Sequence, residues 1–250
     1  MRGNETVGLE RTIENDPSEL NARIEQVHRS LRSDDLQTRR DAGRAFRVAA
    51  EQNPAIIEPH CDTLVELLAD RSGSVRLSGA IGFRELATTA PTTVAERVPE
   101  LLVLLEDADA PAIQMAVVRA LTRVGEHSLG TVTVADETTA GLLRTATPPI
   151  KAAIVTIFAG AVVADPEQFP ETVAAMEDAL DDEGERVRRY AAAALALIAK
   201  MDSSAVSSVE GIRERIEALE DRVTAHPWHS DETIEQAAET FRSLSDTGQT

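Results

Sequence analysis

The sequence is poor in the residue types on which most folds and most active sites depend. It holds one cysteine, Cys61, in 250 residues, so no disulfide can form within the chain. Cys61 lies on an otherwise apolar helical face and reads as a small buried hydrophobe rather than a nucleophile. Aromatic residues make up only 3% of the chain. Its core must therefore be aliphatic, which disfavours a β-sandwich with its usual Tyr, Trp and Gly-rich turns. Lysine is nearly absent: Lys151 and Lys200 stand among 25 basic residues, against 43 acidic ones. The resulting net charge of −18 argues against nucleic acid as a partner, because neutralising phosphates needs clustered Lys and Arg. No apolar run approaches the roughly 18 residues that a membrane span needs. The opening stretch MRGNETVGLERTIEND lacks an apolar signal segment. A cytoplasmic location away from membranes is expected. There is no Gly-rich phosphate loop and no GxSxG elbow, and the many carboxylates fall on solvated faces, where catalysis is not expected.

What is present is a repeat. The stretch Asp70 to Ala87 reads as an acidic turn followed by an amphipathic helix anchored on Val75. Equivalent anchors are Thr38, Ile113, Ile150 and Val187, at spacings of 37, 38, 37 and 37 residues. Four residues past the anchors stand Ala42, Gly79, Val117, Ile154 and Ala191. Eight past them stand Phe46, Phe83, Leu121, Phe158 and Leu195. Eleven past them stand Ala49, Leu86, Val124, Ala161 and Ile198. Offsets of 0, 4, 8 and 11 trace one face of an α-helix. A fixed period of this length, with two helices per unit, is the signature of a helical solenoid.

The acidic turn, the Val75-Arg76 and Val187-Arg188 pairs and the small residues behind them resemble the HEAT-repeat family and its lyase-type relatives. The resemblance implies an all-α, right-handed α-solenoid of about six HEAT-like helix pairs. It says little about function, since the family includes scaffolds, transport factors and a few enzymes. Gln114 replaces the basic residue in the third unit, and Asp41 departs from the small residues Ser78 and Ala116. The acid-rich, Lys-poor, Thr-rich composition is also similar to that of proteins from extreme halophiles, where charge answers to the solvent.

The organisation expected is a loose lead-in over 1–17, one solenoid domain over 18–245 and a tail over 246–250. The fourth repeat is irregular: residues 131–146 combine weak helix formers with Gly141, and a short helix after a longer loop is expected. Proline at Pro54, Pro91 and Pro166 stops or follows the anchor helices.

Two sets of candidate residues follow. The first is a structural ladder of Arg39, Arg76, Lys151 and Arg188 with the turn residues Asp34, Asp70, Asp107 and Asp182, each cation able to reach the carboxylate of its own or the next turn. The second is a stripe on the anchor helices, which line the concave surface in HEAT-like proteins: Arg40, Arg44, Arg47, Arg84, Arg119 and Arg123. The outer helices of pairs two to five carry only Arg97 and Arg144 as basic residues. This contrast suggests a partner-binding face for an acidic protein segment, on a non-catalytic scaffold that is monomeric and holds no cofactor. The alternatives are an accessory or lyase-like subunit acting on a cofactor-bearing protein, and a HEAT-like DNA-binding protein. His226, His229 and Asp231 in one loop are too few and too local for a metal site, and Trp228 beside them reads as a plug at the end of the core.

Overall fold

The computed structural model describes residues 4–107, 110–224 and 232–247. Every regular element among them is helical. The helices fall into two compact units, Met1–Val132 and Thr133–Thr250, where a single domain was expected.

The first unit opens with α1 (Asn4–Asn15), in place of the expected loose lead-in. Leu9 and Ile13 sit one helical turn apart and are 1% and 0% exposed. They seat α1 against the helix over Leu36–Gln52, which gives this polar stretch a buried edge. Three helix pairs follow. In the first, α2 (Glu19–Ala22) and α3 (Ile24–Leu31) precede α4 (Leu36–Gln52). In the second, two short 3-10 turns and α5 (Cys61–Leu68) precede α6 (Gly73–Thr89). In the third, α7 (Pro91–Ala95) and α8 (Val98–Asp107) precede α9 (Pro111–His127). The one-turn α10 (Leu129–Val132) closes the unit.

The outer helices α5, α7 and α8 are shorter than the inner ones, and proline explains it. Pro59 lacks an N–H and its ring would meet the carbonyl of Ala55, so only Cys61 onward is α-helical. Pro99 does the same to the carbonyl of Ala95, where α7 ends. The inner helices α4, α6 and α9 have no such interruption. Each runs 17 residues, and they pack in that order. The start of α4 is set by Asp35, whose carboxylate accepts from the Thr38 amide at 2.7 Å.

In the second unit α11 (Asp136–Thr145) is the first outer helix. The longer loop expected before it is instead α10 and a 3-10 turn at Thr133–Ala135. Threonine, a weak helix former, is useful here. Thr139 and Thr172 are fully buried and share a hydrogen bond of 2.7 Å. The Asp136 carboxylate accepts from the amides of Glu171 and Thr172 at 3.0 and 2.7 Å, so one repeat caps the next outer helix, which starts at Pro170. The inner stretch of this repeat is α12 (Pro148–Ala153), a π-helical segment at Ile154–Phe158 and α13 (Ala159–Ala164). The Thr156 hydroxyl donates to the Ala152 carbonyl at 2.6 Å, and this back-bond competes with the α-helical pattern at that point. The π segment absorbs an extra residue. Val162 is therefore buried at 0%, and Ala161, expected in the core, is only half-buried.

The unit continues with α14 (Pro170–Asp178), α15 (Glu185–Met201), α16 (Val209–Thr224) and α17 (Glu232–Thr247). Helix α15 packs against α14, α13 and α17. The core is aliphatic around five phenylalanines, Phe46, Phe83, Phe158, Phe169 and Phe241, all fully buried. Every residue eight past an anchor is 0% exposed.

Helices α5 and α6 approach closely because Gly79 and Gly82 carry no side chain. A Cβ on Gly79 would lie 2.8 Å from Leu67 Cβ and 3.1 Å from the Leu64 carbonyl. Gly79→Ala is expected to destabilise the protein by about 1–3 kcal/mol through overpacking. Urea denaturation measures it, and an unchanged midpoint would show that α5 moves aside freely.

Candidate binding surfaces

Two of the turns between paired helices are built around a carboxylate with two tasks. In the second turn, Asp70 Oδ1 accepts from the Ser72 amide at 2.7 Å, while Oδ2 accepts from Arg39 Nε at 2.9 Å. Arg39 also donates through Nη1 to the Ser33 and Asp34 carbonyls, at 2.9 and 3.1 Å. One guanidinium thus ties its own turn to the next. The Arg39 and Asp70 side chains are 6% and 12% exposed. The second unit repeats the device: Asp182 accepts from the Gly184 amide at 2.8 Å and from Lys151 Nζ at 2.6 Å. Burial pushes the Asp182 carboxyl up, but Lys151, the Gly184 amide and Arg188 together outweigh it and hold its pKa below the ordinary value.

The other expected ladder members behave differently. Arg76 and Arg188 reach no neighbouring carboxylate among the described residues. Each donates through Nη1 to a carbonyl of its own turn, Arg76 to Asp70 at 2.9 Å and Arg188 to Asp182 at 2.7 Å. Asp34 takes part through its carbonyl rather than its carboxylate. Asp107 is exposed on the last turn of α8 and closes no rung among the described residues. The turn that Arg188 would reach next lies outside the described residues.

The arginine stripe spans α4, α6 and α9. Arg40 donates to Ser74 at 2.9 Å. Arg44 is 53% exposed and holds Glu10 and Asp41 only loosely, at 4.0 and 3.9 Å. Arg47 pairs with Glu51 at 3.4 Å, Arg84 with the adjacent Glu85, and Arg123 with Glu126 at 2.8 Å. Arg119 is exposed and makes no ion pair or hydrogen bond among the described residues. Exposed pairs of this kind contribute about 0–1 kcal/mol each, so a partner could displace them at little cost. The equivalent places on the inner stretch of the fourth repeat are Thr156, exposed, and Ala159, buried at 7%.

The sequence reading missed Arg71, which stands beside Asp70 and lines two open clefts on the turn edge of the first unit. Only its place in a turn, two residues before Gly73, hinted at it. It also missed the exposed Leu197 and Met201, 53% and 70% accessible on α15. His226, His229, Asp231 and Trp228 lie outside the described residues. Among the described residues no helix is long and apolar enough to cross a membrane.

No protein-family model matches the chain, and no curated protein matches it. Solved structures do. A computationally designed armadillo repeat protein for modular peptide recognition is similar at 22% identity and a TM-score of 0.67, over 87% of this chain and 98% of that one. An engineered protein is similar at 20% identity and a TM-score of 0.66, over 88% of this chain and 96% of its own. A homology model of the full-length AP-3 complex in an intermediate open conformation is similar at 16% identity and a TM-score of 0.67, over 94% and 40%. At such identities the likeness speaks for the fold alone, and it agrees with the period, the helix pairs and the aliphatic core: this chain has an all-α helical-repeat fold of the armadillo/HEAT-like kind.

Proposed function

We propose that the chain is a non-catalytic scaffold that binds an acidic protein segment along the inner helices of its first unit. The observation that carries this reading is the placement of Arg44, Arg84 and Arg119 on three successively packed helices, with Arg119 unengaged and Arg44 only loosely held. Arginine suits the task, because its planar guanidinium pairs with carboxylates in two-point contacts where an ammonium would stay hydrated. A similar structure was designed for modular peptide recognition, which supports a peptide-binding use of this fold. The surrounding charge of −18 works as a filter: an acidic segment must find the arginines to overcome general repulsion, which favours one register.

The test is a fluorescence-anisotropy titration with acidic, neutral and basic ten-residue peptides and with duplex DNA, at two salt concentrations. Acidic peptides should bind the parent protein. Changing Arg44, Arg84 and Arg119 together to Glu should weaken that binding by roughly a hundredfold or more, given about 1–3 kcal/mol per charge-assisted contact. Helicity by circular dichroism should stay unchanged, since these side chains are not in the core. Equal binding by parent and variant would place the binding face elsewhere, and DNA binding that outcompetes the peptides would replace the protein partner.

A further inference from the structure

Outer helices of neighbouring repeats are joined by side chains about one repeat apart, and the seam between the first two repeats uses titratable joints. Between the second and third pairs, Arg97 reaches Asp62 at 2.6 Å and Thr93 donates to Glu58 at 3.0 Å. In the second unit, Thr139 and Thr172 share a hydrogen bond and Arg144 reaches Asp178. These groups keep their charge through the neutral and mildly acid range. At the first seam, His28 Nε2 of α3 lies 2.8 Å from Thr63 Oγ1 of α5. His60, at the end of the 3-10 turn Glu58–His60, donates through Nε2 to Asn21 Oδ1 of α2 at 2.7 Å. Each repeat thus lends one histidine to the other. The exposed pair Arg32–Glu66, at 3.1 Å, spans the same seam.

Both rings are half-buried. His60 meets Phe46 of α4 edge-on, with ring centroids 6.2 Å apart. Thr63, the partner of His28, is buried. A chain with 43 carboxylates gives neither imidazole one of them among the described residues. The carboxylates on the elements packed here are engaged elsewhere. Glu19 holds Arg23 at 3.0 Å, Glu66 holds Arg32, Asp62 holds Arg97, and Glu58 accepts from Thr93. Glu51 of α4 pairs with Arg47. Glu25 and Arg29 are exposed on α3. The Cys61 thiol next to His60 is pushed up by burial and stays neutral. The charged group that bears on His60 is His28 itself.

We infer that the seam between the first two repeats is an acid-labile joint: charging His60 and His28 loosens α2 and α3 from α5 while the other seams hold. Asn21 Oδ1 is an acceptor, so His60 Nε2 already carries a proton and the second one adds at Nδ1. It puts a charge on a half-buried ring that packs against Phe46 and feels a second imidazole. Burial and His28 both push the His60 pKa below its ordinary value. The opened chain therefore takes the proton before the closed one does. The stability this seam provides is complete above about pH 6.5, the ordinary histidine value, and is lost as the pH falls through it. The loss levels off once the closed form is protonated too. The device is separate from the arginine stripe and does not depend on any partner.

The experiment is amide hydrogen exchange of the full-length protein at about pH 7.5 and about pH 5.5, on either side of the ordinary histidine value and above the carboxylate range. It is expressed as protection factors, which remove the intrinsic pH dependence of exchange. Amides of α2, α3 and α5 should lose protection several-fold at the lower pH, while those of α14 and α15 keep theirs. His60→Gln retains a donor for Asn21 and cannot be charged, so it should remove most of that loss. An NMR titration of the imidazole rings in the parent protein is the second measurement, and it stands whatever the stability of the variant. His60 should titrate below its ordinary value, and His28→Gln should move its midpoint upward. A His60 ring that titrates at or above the ordinary value, or an equal acid loss of protection in His60→Gln, would overturn the inference.

Discussion

Replacing Asp70 by alanine should lower stability by about 3–5 kcal/mol, because it strands a buried guanidinium. Arg39 is 5% exposed and its Nε has no other acceptor among the described residues. Its Nη1 bonds to Ser33 and Asp34 hold the side chain where it is, so it cannot swing out to water without opening its own turn. The alanine variant also loses the Ser72 cap. Asp70→Asn keeps one oxygen, enough for the Ser72 cap or for Arg39 Nε but not both, and should fall between the parent and the alanine variant. Changing both Arg39 and Asp70 to apolar residues of similar size should recover much of the loss, since the desolvation penalty goes with the charge. In a domain of this size a loss of this order lowers the melting temperature by roughly 10 °C. Hydrogen exchange should place the loosening in α3 to α6, the elements the rung joins. An alanine variant as stable as the parent would mean that the rung is a crystal-like decoration of the turn and not a brace between repeats.

The second large effect concerns salt. Carboxylates exceed basic residues by 43 to 25, so even complete pairing leaves many unmatched. Several crowd together near the end of α14. There Asp178 reaches Arg144 at 3.4 Å, Asp181 reaches Arg215 at 2.6 Å, and Glu177 is held by Ser207. Salt acts in two directions on such a surface. It weakens these exposed pairs, which contribute about 0–1 kcal/mol each. It also relieves the repulsion among the excess carboxylates, as the screening length falls from about 10 Å at 0.1 M to about 3 Å at 1 M. With this much excess charge the relief should win, and the melting temperature is expected to rise by about 10 °C or more between low and molar salt. Sodium chloride should be compared with potassium chloride, because screening does not distinguish them. A melting temperature that stays level or falls would remove the reading of the composition as an adaptation to salt.

The repeat itself was legible in the residues. Burial at the offset of eight, from Phe46 to Leu195, depends on helical geometry within one helix and on little else. Proline places and the acidic turns are likewise local signals. The candidate site was legible only as an inventory of cations and carboxylates, because whether Arg39 or Arg76 finds a carboxylate depends on where the next turn puts it.

Several features needed the tertiary structure. Residues 4–15 are helical because Leu9 and Ile13 find a groove on α4, and two apolar residues in a polar stretch do not announce such a groove. The division at Val132 follows from how helices cluster in space, across a stretch whose local propensities merely looked weak. The π segment moved the core position from Ala161 to Val162, since one extra residue in a helix rotates all that follows. The composition and the period of this chain determine which residues are apolar, small or charged along each helix. Packing alone decides which of those charges meet: Arg39 finds the Asp70 carboxylate, while Arg76, at the same place in the next repeat, donates to a carbonyl of its own turn.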